Sequence, residues 1–81
     1  MGMPFSKVIV CGGGTMGRGI AQQAAQCGKQ VVLFDVNAET LVQAEKAIVQ
    51  NVEKLVQRQK LTPEQRDDIF ARLVYTTASQ L

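Results

Sequence analysis

The 81-residue chain has no histidine and no tryptophan, one tyrosine, three phenylalanines and two cysteines. Two cysteines without a histidine cannot furnish a zinc shell, so no metal site is expected. Nor is there a neutral imidazole to act as a general base. Four aromatics supply no platform for stacking bases. A net charge of +2, with nine Lys and Arg scattered from Lys7 to Arg72, forms no basic block and gives no reason to expect nucleic acid. No run approaches the roughly 20 apolar residues of a membrane span. Glycines break the first apolar run after four residues, so no signal-peptide core is expected either. The opening "MGMPFS" fits Met-Gly-x-x-x-Ser but is read as a start-codon or cloning remnant rather than an acylation site.

Cys11 and Cys27 do not read as a disulfide. A helix between them would separate them by about 18 Å, whereas bridged α-carbons lie within roughly 7 Å. Both are expected to be reduced, buried thiols in a cytoplasmic setting. Cys11 has no neighbouring base to activate it and is read as a small core filler.

With 46% hydrophobic residues, the chain is long enough for one small domain or part of a larger one. "KVIVC", residues 7 to 11, reads as a strand buried on both faces. Met16, Ile20, Ala24 and Cys27 then recur at helical spacing, and Gly28 sits where a helix-ending glycine belongs. "VVLF", residues 31 to 34, is a second buried strand closed by Asp35. Strand, helix and strand within about 30 residues make a βαβ unit, so the strands should be parallel with a right-handed crossover.

Asn37 is placed to cap a long helix from 38 to about 59, with Glu39 in its first turn. Its apolar stripe is Leu41, Ala44, Ile48, Val52 and Leu55, widened by Val42, Val49 and Val56. At roughly 33 Å it must project beyond the sheet. "TPEQ" starts another helix, with Thr62 as N-cap, Pro63 first and Gln65 closing a capping box. Ile69, Phe70 and Leu73 form its inner face, and "LVYTT", residues 73 to 77, begins a third strand. The fold class expected is therefore α/β, a partial Rossmann-type parallel sheet in the order β-α-β-α-α-β.

The stretch "VIVCGGGTMGRG" packs five glycines into twelve positions. Gly12, Gly14 and Gly17 fit G-x-G-x-x-G immediately after a strand and at the opening of a helix, the context that gives the pattern meaning. The first glycine permits a tight turn, the second lets a pyrophosphate approach the backbone, and the third lets the helix pack on the strand. Helix N–H groups then face the phosphates, with the positive end of the dipole behind them. Asp35, eighteen positions after Gly17, stands where a carboxylate accepts the adenosine ribose hydroxyls. The same carboxylate would repel a 2′-phosphate. Val36 and Asn37 offer no guanidinium to receive one, which favours NAD over NADP. Arg18 lies within reach of the same ligand, though a solvated helix side chain is the plainer reading.

From residue 7 onward the chain closely resembles the N-terminal NAD-binding domain of the 3-hydroxyacyl-CoA dehydrogenases, most tellingly in "GGGTMGRGIA" and in the long helix followed by a capped second one. Gly13 departs from the alanine usual in that family, a change expected to loosen the turn without removing a contact. The resemblance implies NAD binding by Gly12, Gly14, Thr15, Met16, Gly17 and Asp35. It also implies oxidation of an L-3-hydroxyacyl-CoA to the 3-ketoacyl-CoA in fatty acid metabolism, with Asn51 and Arg58 facing the CoA and a dimeric or other homo-oligomeric enzyme. The family's catalytic histidine and glutamate have no counterparts among these 81 residues. Residues 1 to 81 therefore read as the N-terminal part of a dinucleotide-binding domain that is catalytically inactive by itself, without the rest of the sheet and the helical C-terminal domain. A β-hydroxyacid dehydrogenase shares the G-x-G-x-M-G turn but joins its second and third strands through one shorter helix. A non-catalytic nucleotide-binding or assembly module is the other alternative, since the edge at residues 8 to 11 invites pairing with a second copy.

Overall fold

The computed structural model describes residues 7 to 77; the "MGMPFS" stretch lies outside them. The elements follow in the order β1 (Lys7–Cys11), α1 (Thr15–Gln26), β2 (Gln30–Phe34), α2 (Ala38–Gln57), α3 (Pro63–Arg72) and β3 (Leu73–Thr76). They form one parallel sheet in the order β1-β2-β3, with Val8 opposite Val31 and Val31 opposite Leu73. The expected β-α-β-α-α-β path is therefore present.

Strand order moves in one direction across the sheet, so successive right-handed crossovers put their helices on a single face. That face carries Val10, Val31, Leu33 and Leu73. They form one core with Ala21 and Ala25 of α1, Leu41, Ala44, Ile48 and Val52 of α2, and Ile69 of α3. The opposite face is open: Ile9 is 66% exposed and Val74 52%. β1 is accordingly not buried on both faces. Side chains alternate across a strand, and only every second one meets a helix.

The cysteines follow the same geometry and are exposed, not buried. Cys11 falls on the alternation that faces away from the helices, opposite Phe34 of β2. Cys27 is the C-cap of α1, beyond its last packed turn. Both are free.

α1 also buries a different stripe from the one its large side chains suggest. Ala21 and Ala25 are fully buried, whereas Met16 is 80% and Ile20 49% exposed. The reason lies at Gly17, where a Cβ would stand 1.8 Å from the Gly12 carbonyl oxygen. A helix held that close to the first strand accepts only small residues on its inner face. Ala24 is partly buried against the core, while Ile20 and Cys27 border a shallow hollow with Val8, Gln23 and Lys29.

The helix ends are built as the sequence indicates. Asn37 Oδ1 accepts the Glu39 and Thr40 N–H groups, and the Thr62–Gln65 capping box is complete, with bonds of 2.9 and 3.1 Å. α1 closes in a Schellman motif: Gly28 (φ +91°) donates to Ala25 and Lys29 to Ala24. Arg72 of α3 donates to the same Ala25 carbonyl at 2.9 Å. α2, 20 residues long, extends about 30 Å and overhangs the four- and five-residue strands. It closes in the same way, with Gln59 donating to Val56 and Lys60 to Leu55. Here the left-handed position is a glutamine, at φ +61°. Gln59→Gly should therefore raise stability by about 0.5–1 kcal/mol in urea unfolding, since a Cβ in that conformation costs more than glycine loses in chain entropy. In the opposite direction, Thr62→Ala should cost about 1 kcal/mol by the same measurement.

The glycine-rich turn as a candidate dinucleotide site

In a parallel sheet the C-terminal ends of β1, β2 and β3 lie together, and the starts of α1 and α2 meet them there. Gly12 takes φ +108°, a conformation that reverses the chain after β1, and its N–H extends the ladder to the Phe34 carbonyl at 2.6 Å. Gly14 is the N-cap of α1 and has no side chain with which to cap it. A Cβ there would meet nothing within 4 Å, which leaves open space in front of the first helical N–H groups. Those groups belong to Thr15, Met16 and Gly17; the first N–H to bond back along the chain is that of Arg18, to Gly14. This is a cradle made of backbone, suited to an anion.

Asp35 joins the turn to the next helix. Its Oδ2 accepts the Gly13 N–H and its Oδ1 the Asn37 N–H, each at 2.8 Å. These amides, that of Gly13 first, hold the carboxyl below its ordinary value of 3.8 against an opposing desolvation. The pKa is depressed in the folded chain, so the stabilisation is complete above the ordinary aspartate range. It is lost as pH falls through the lowered value.

Gly13 is buried, and a Cβ at this position would come within 3.2 Å of Thr40 Cγ2. Glycine here avoids crowding against α2, and its N–H is fixed to Asp35. Val36 is 80% exposed, and the Asn37 side chain is committed to its cap. Arg18 turns back towards Thr15 Oγ1 at 3.4 Å.

The other residues singled out in the sequence lie elsewhere. Asn51 and Arg58 are exposed along the second half of α2, whose first turn is the part near Asp35. Asn51 Nδ2 donates to Gln22 Oε1 of α1 at 3.3 Å. Arg58, the C-cap, lies about 30 Å along the helix from the cradle. Arg58 therefore lies at the far end of the α1–α2 layer from the cradle, and Asn51 beside the middle of α1.

Two contacts were not foreseen from the sequence. The Gly13–Asp35 bond leaves no local signature, because its partners are 22 residues apart. Tyr75 lies half-buried on the helix-bearing face, and burial, helped by the charge of Glu45, pushes its phenol up to about 12. Among the described residues there is no cluster of three or more His, Cys, Asp or Glu able to hold a metal ion. No helix there is long and apolar enough to cross a membrane.

Residues 7 to 80 match the family described as 3-hydroxyacyl-CoA dehydrogenase, NAD binding domain. The chain is 44% identical over 70 residues to 3-hydroxyadipyl-CoA dehydrogenase of Escherichia coli K12, covering 86% of this chain and 15% of that protein. It is 33% identical over 73 residues to a 3-hydroxybutyryl-CoA dehydrogenase of Mycobacterium tuberculosis, covering 90% and 26%. Among solved structures, the (S)-3-hydroxybutyryl-CoA dehydrogenase of Ralstonia eutropha superposes with a TM-score of 0.86 at 30% identity, over 91% of this chain and 26% of that one. The 3-hydroxybutyryl-CoA dehydrogenase of Escherichia coli K12 gives 0.86 at 40% identity, over 91% and 16%. The chain thus spans about a quarter or less of each of these relatives.

Proposed function

This chain belongs to the NAD-binding domain family of the 3-hydroxyacyl-CoA dehydrogenases, and on that premise we propose that residues 12 to 17 and Asp35 hold the adenosine diphosphate half of NAD. The observation that carries the assignment is the uncapped start of α1, with open space before Gly14. The backbone N–H groups of Thr15, Met16 and Gly17 receive the pyrophosphate, and the free lone pairs of Asp35 receive the ribose hydroxyls. A 2′-phosphate would meet the Asp35 carboxylate with no guanidinium beside it to compensate.

NAD supplies the hydride acceptor in the oxidation of a 3-hydroxyacyl-CoA to its 3-ketoacyl-CoA. Asn51 and Arg58, on one face of α2, are assigned to the CoA moiety. The Arg58 guanidinium makes a charge-assisted bond to a phosphate, while Asn51 exchanges its long bond to Gln22 for the ligand. We further assign residues 1 to 81 to the N-terminal part of the dinucleotide-binding domain, place the protein in the cytoplasm and treat it as a homo-oligomer. The free cysteines suit a reducing compartment. The bare face around Ile9 and Val74 suits association.

Titration with NADH and NADPH, followed by nicotinamide fluorescence and heat, tests the assignment. There is no tryptophan to complicate the optical signal. Saturable NADH binding with NADPH at least about tenfold weaker is expected. Equal affinity for both, or no binding of either, would overturn it.

A further inference from the structure

Asp35 makes contacts that its ribose-binding assignment does not require. Its two oxygens accept N–H groups from different segments, Gly13 in the turn and Asn37 at the start of α2. A carboxylate has about four acceptor positions, so these two bonds leave it capacity to accept from a ribose without displacing either amide. Residues 12 to 14 are consecutive glycines, the stretch of backbone most costly to order. Among the described residues, two hydrogen bonds tie this stretch to the end of β2. One is Gly12 N–H to the Phe34 carbonyl, which continues the strand ladder; the other is Gly13 N–H to Asp35.

We propose that Asp35 is also a positioning residue for the phosphate turn, its carboxylate fixing the Gly13 amide before any nucleotide arrives. The inference rests on the dinucleotide assignment above and deepens it: one side chain recognises the ribose and sets the backbone that receives the pyrophosphate. Asparagine cannot reproduce this. Both Asp35 oxygens face N–H donors, so an amide would turn its NH₂ against one of them.

The sign of one effect separates the two roles. Asp35→Asn removes a negative charge near the phosphates. If Asp35 served the ribose alone, a diphosphate with no ribose hydroxyls would bind D35N as well as or better than it binds the unaltered chain. If Asp35 holds the turn, that ligand binds D35N more weakly. Calorimetry would compare ADP with 2′,3′-dideoxyadenosine 5′-diphosphate on both proteins. The expected result is weaker binding of both ligands to D35N, by about tenfold for the dideoxy compound. Unchanged or tighter binding of the dideoxy compound would overturn the positioning role.

A second readout needs neither ligand nor variant. In the unaltered chain the Gly13 amide resonance should shift with the protonation of Asp35, at a midpoint below 3.8. If D35N fails to fold, or if the unaltered chain binds no nucleotide, this readout decides the positioning role. Failure to bind nucleotide would overturn the dinucleotide assignment alone. A Gly13 amide indifferent to Asp35 protonation would overturn the positioning role whatever the ligands do.

Discussion

Gly17→Ala should abolish nucleotide binding, with NADH affinity falling by about a hundredfold or more in the same fluorescence titration. A Cβ at residue 17 would stand 1.8 Å from the Gly12 carbonyl oxygen and 3.0 Å from its carbon, against backbone that has no rotamer to give. Either α1 must back away from β1 by more than an ångström, or the turn must open. Both movements displace the N–H groups that face the phosphates, and errors of about 1 Å in a positioned site cost on the order of a hundredfold. The added methyl should also cost stability, about 1–3 kcal/mol for a forced fit. Gly14→Ala is the control, because a Cβ there meets open space within the protein. It should cost no more than the ~1 kcal/mol by which alanine is the poorer N-cap residue, and weaken NADH through contact with the ligand itself.

Residue 17 also shows why part of the molecule could be read from the sequence and part could not. Asn37, Thr62 and Gln65 act through bonds to residues two or three positions away, Pro63 through its own fixed φ at the first helical position, and the structure has them as the local pattern predicts. Parallel pairing of β1, β2 and β3 follows from strand–helix alternation, which is also a local signal. The inner face of α1 is not. The helical period takes in Met16, Ile20 and Cys27 along with Ala24, whereas the close approach at Gly17 selects Ala21 and Ala25, with Ala24 packed beside them. A distance between two elements decides the matter, and no window within one helix contains it. The two-sided burial expected of β1 failed because an apolar run does not report how many layers cover it. The glycine pattern located the turn, but the second use of Asp35 required knowing where the Gly13 amide points. Gln59 was invisible for a different reason: nothing in a glutamine announces φ +61°.

The open sheet face gives the second large effect its contrast. Leu33 is at 0% exposure in the middle strand, with β1 on one side and β3 on the other. Truncating such a residue removes its transfer free energy and leaves a cavity that the flanking strands cannot close. Leu33→Ala should therefore cost about 3 kcal/mol. The loss is heavy for a domain of this size, whose total stability is of order 5–10 kcal/mol, and it should lower the melting temperature by roughly 15 °C. Ile9→Ala removes a similar volume from the other side of the same sheet, where the side chain is 66% exposed. In a monomer its cost should stay below about 0.5 kcal/mol and be independent of protein concentration. If a second copy covers that face, Ile9→Ala should cost more as concentration rises, because association stabilises the folded chain by mass action. Thermal melts of the unaltered chain and both variants across a hundredfold concentration range would separate the cases. A concentration-independent Tm for all three would rule out self-association through this face, whereas a rising Tm for the unaltered chain, blunted by Ile9→Ala, would locate the contact there.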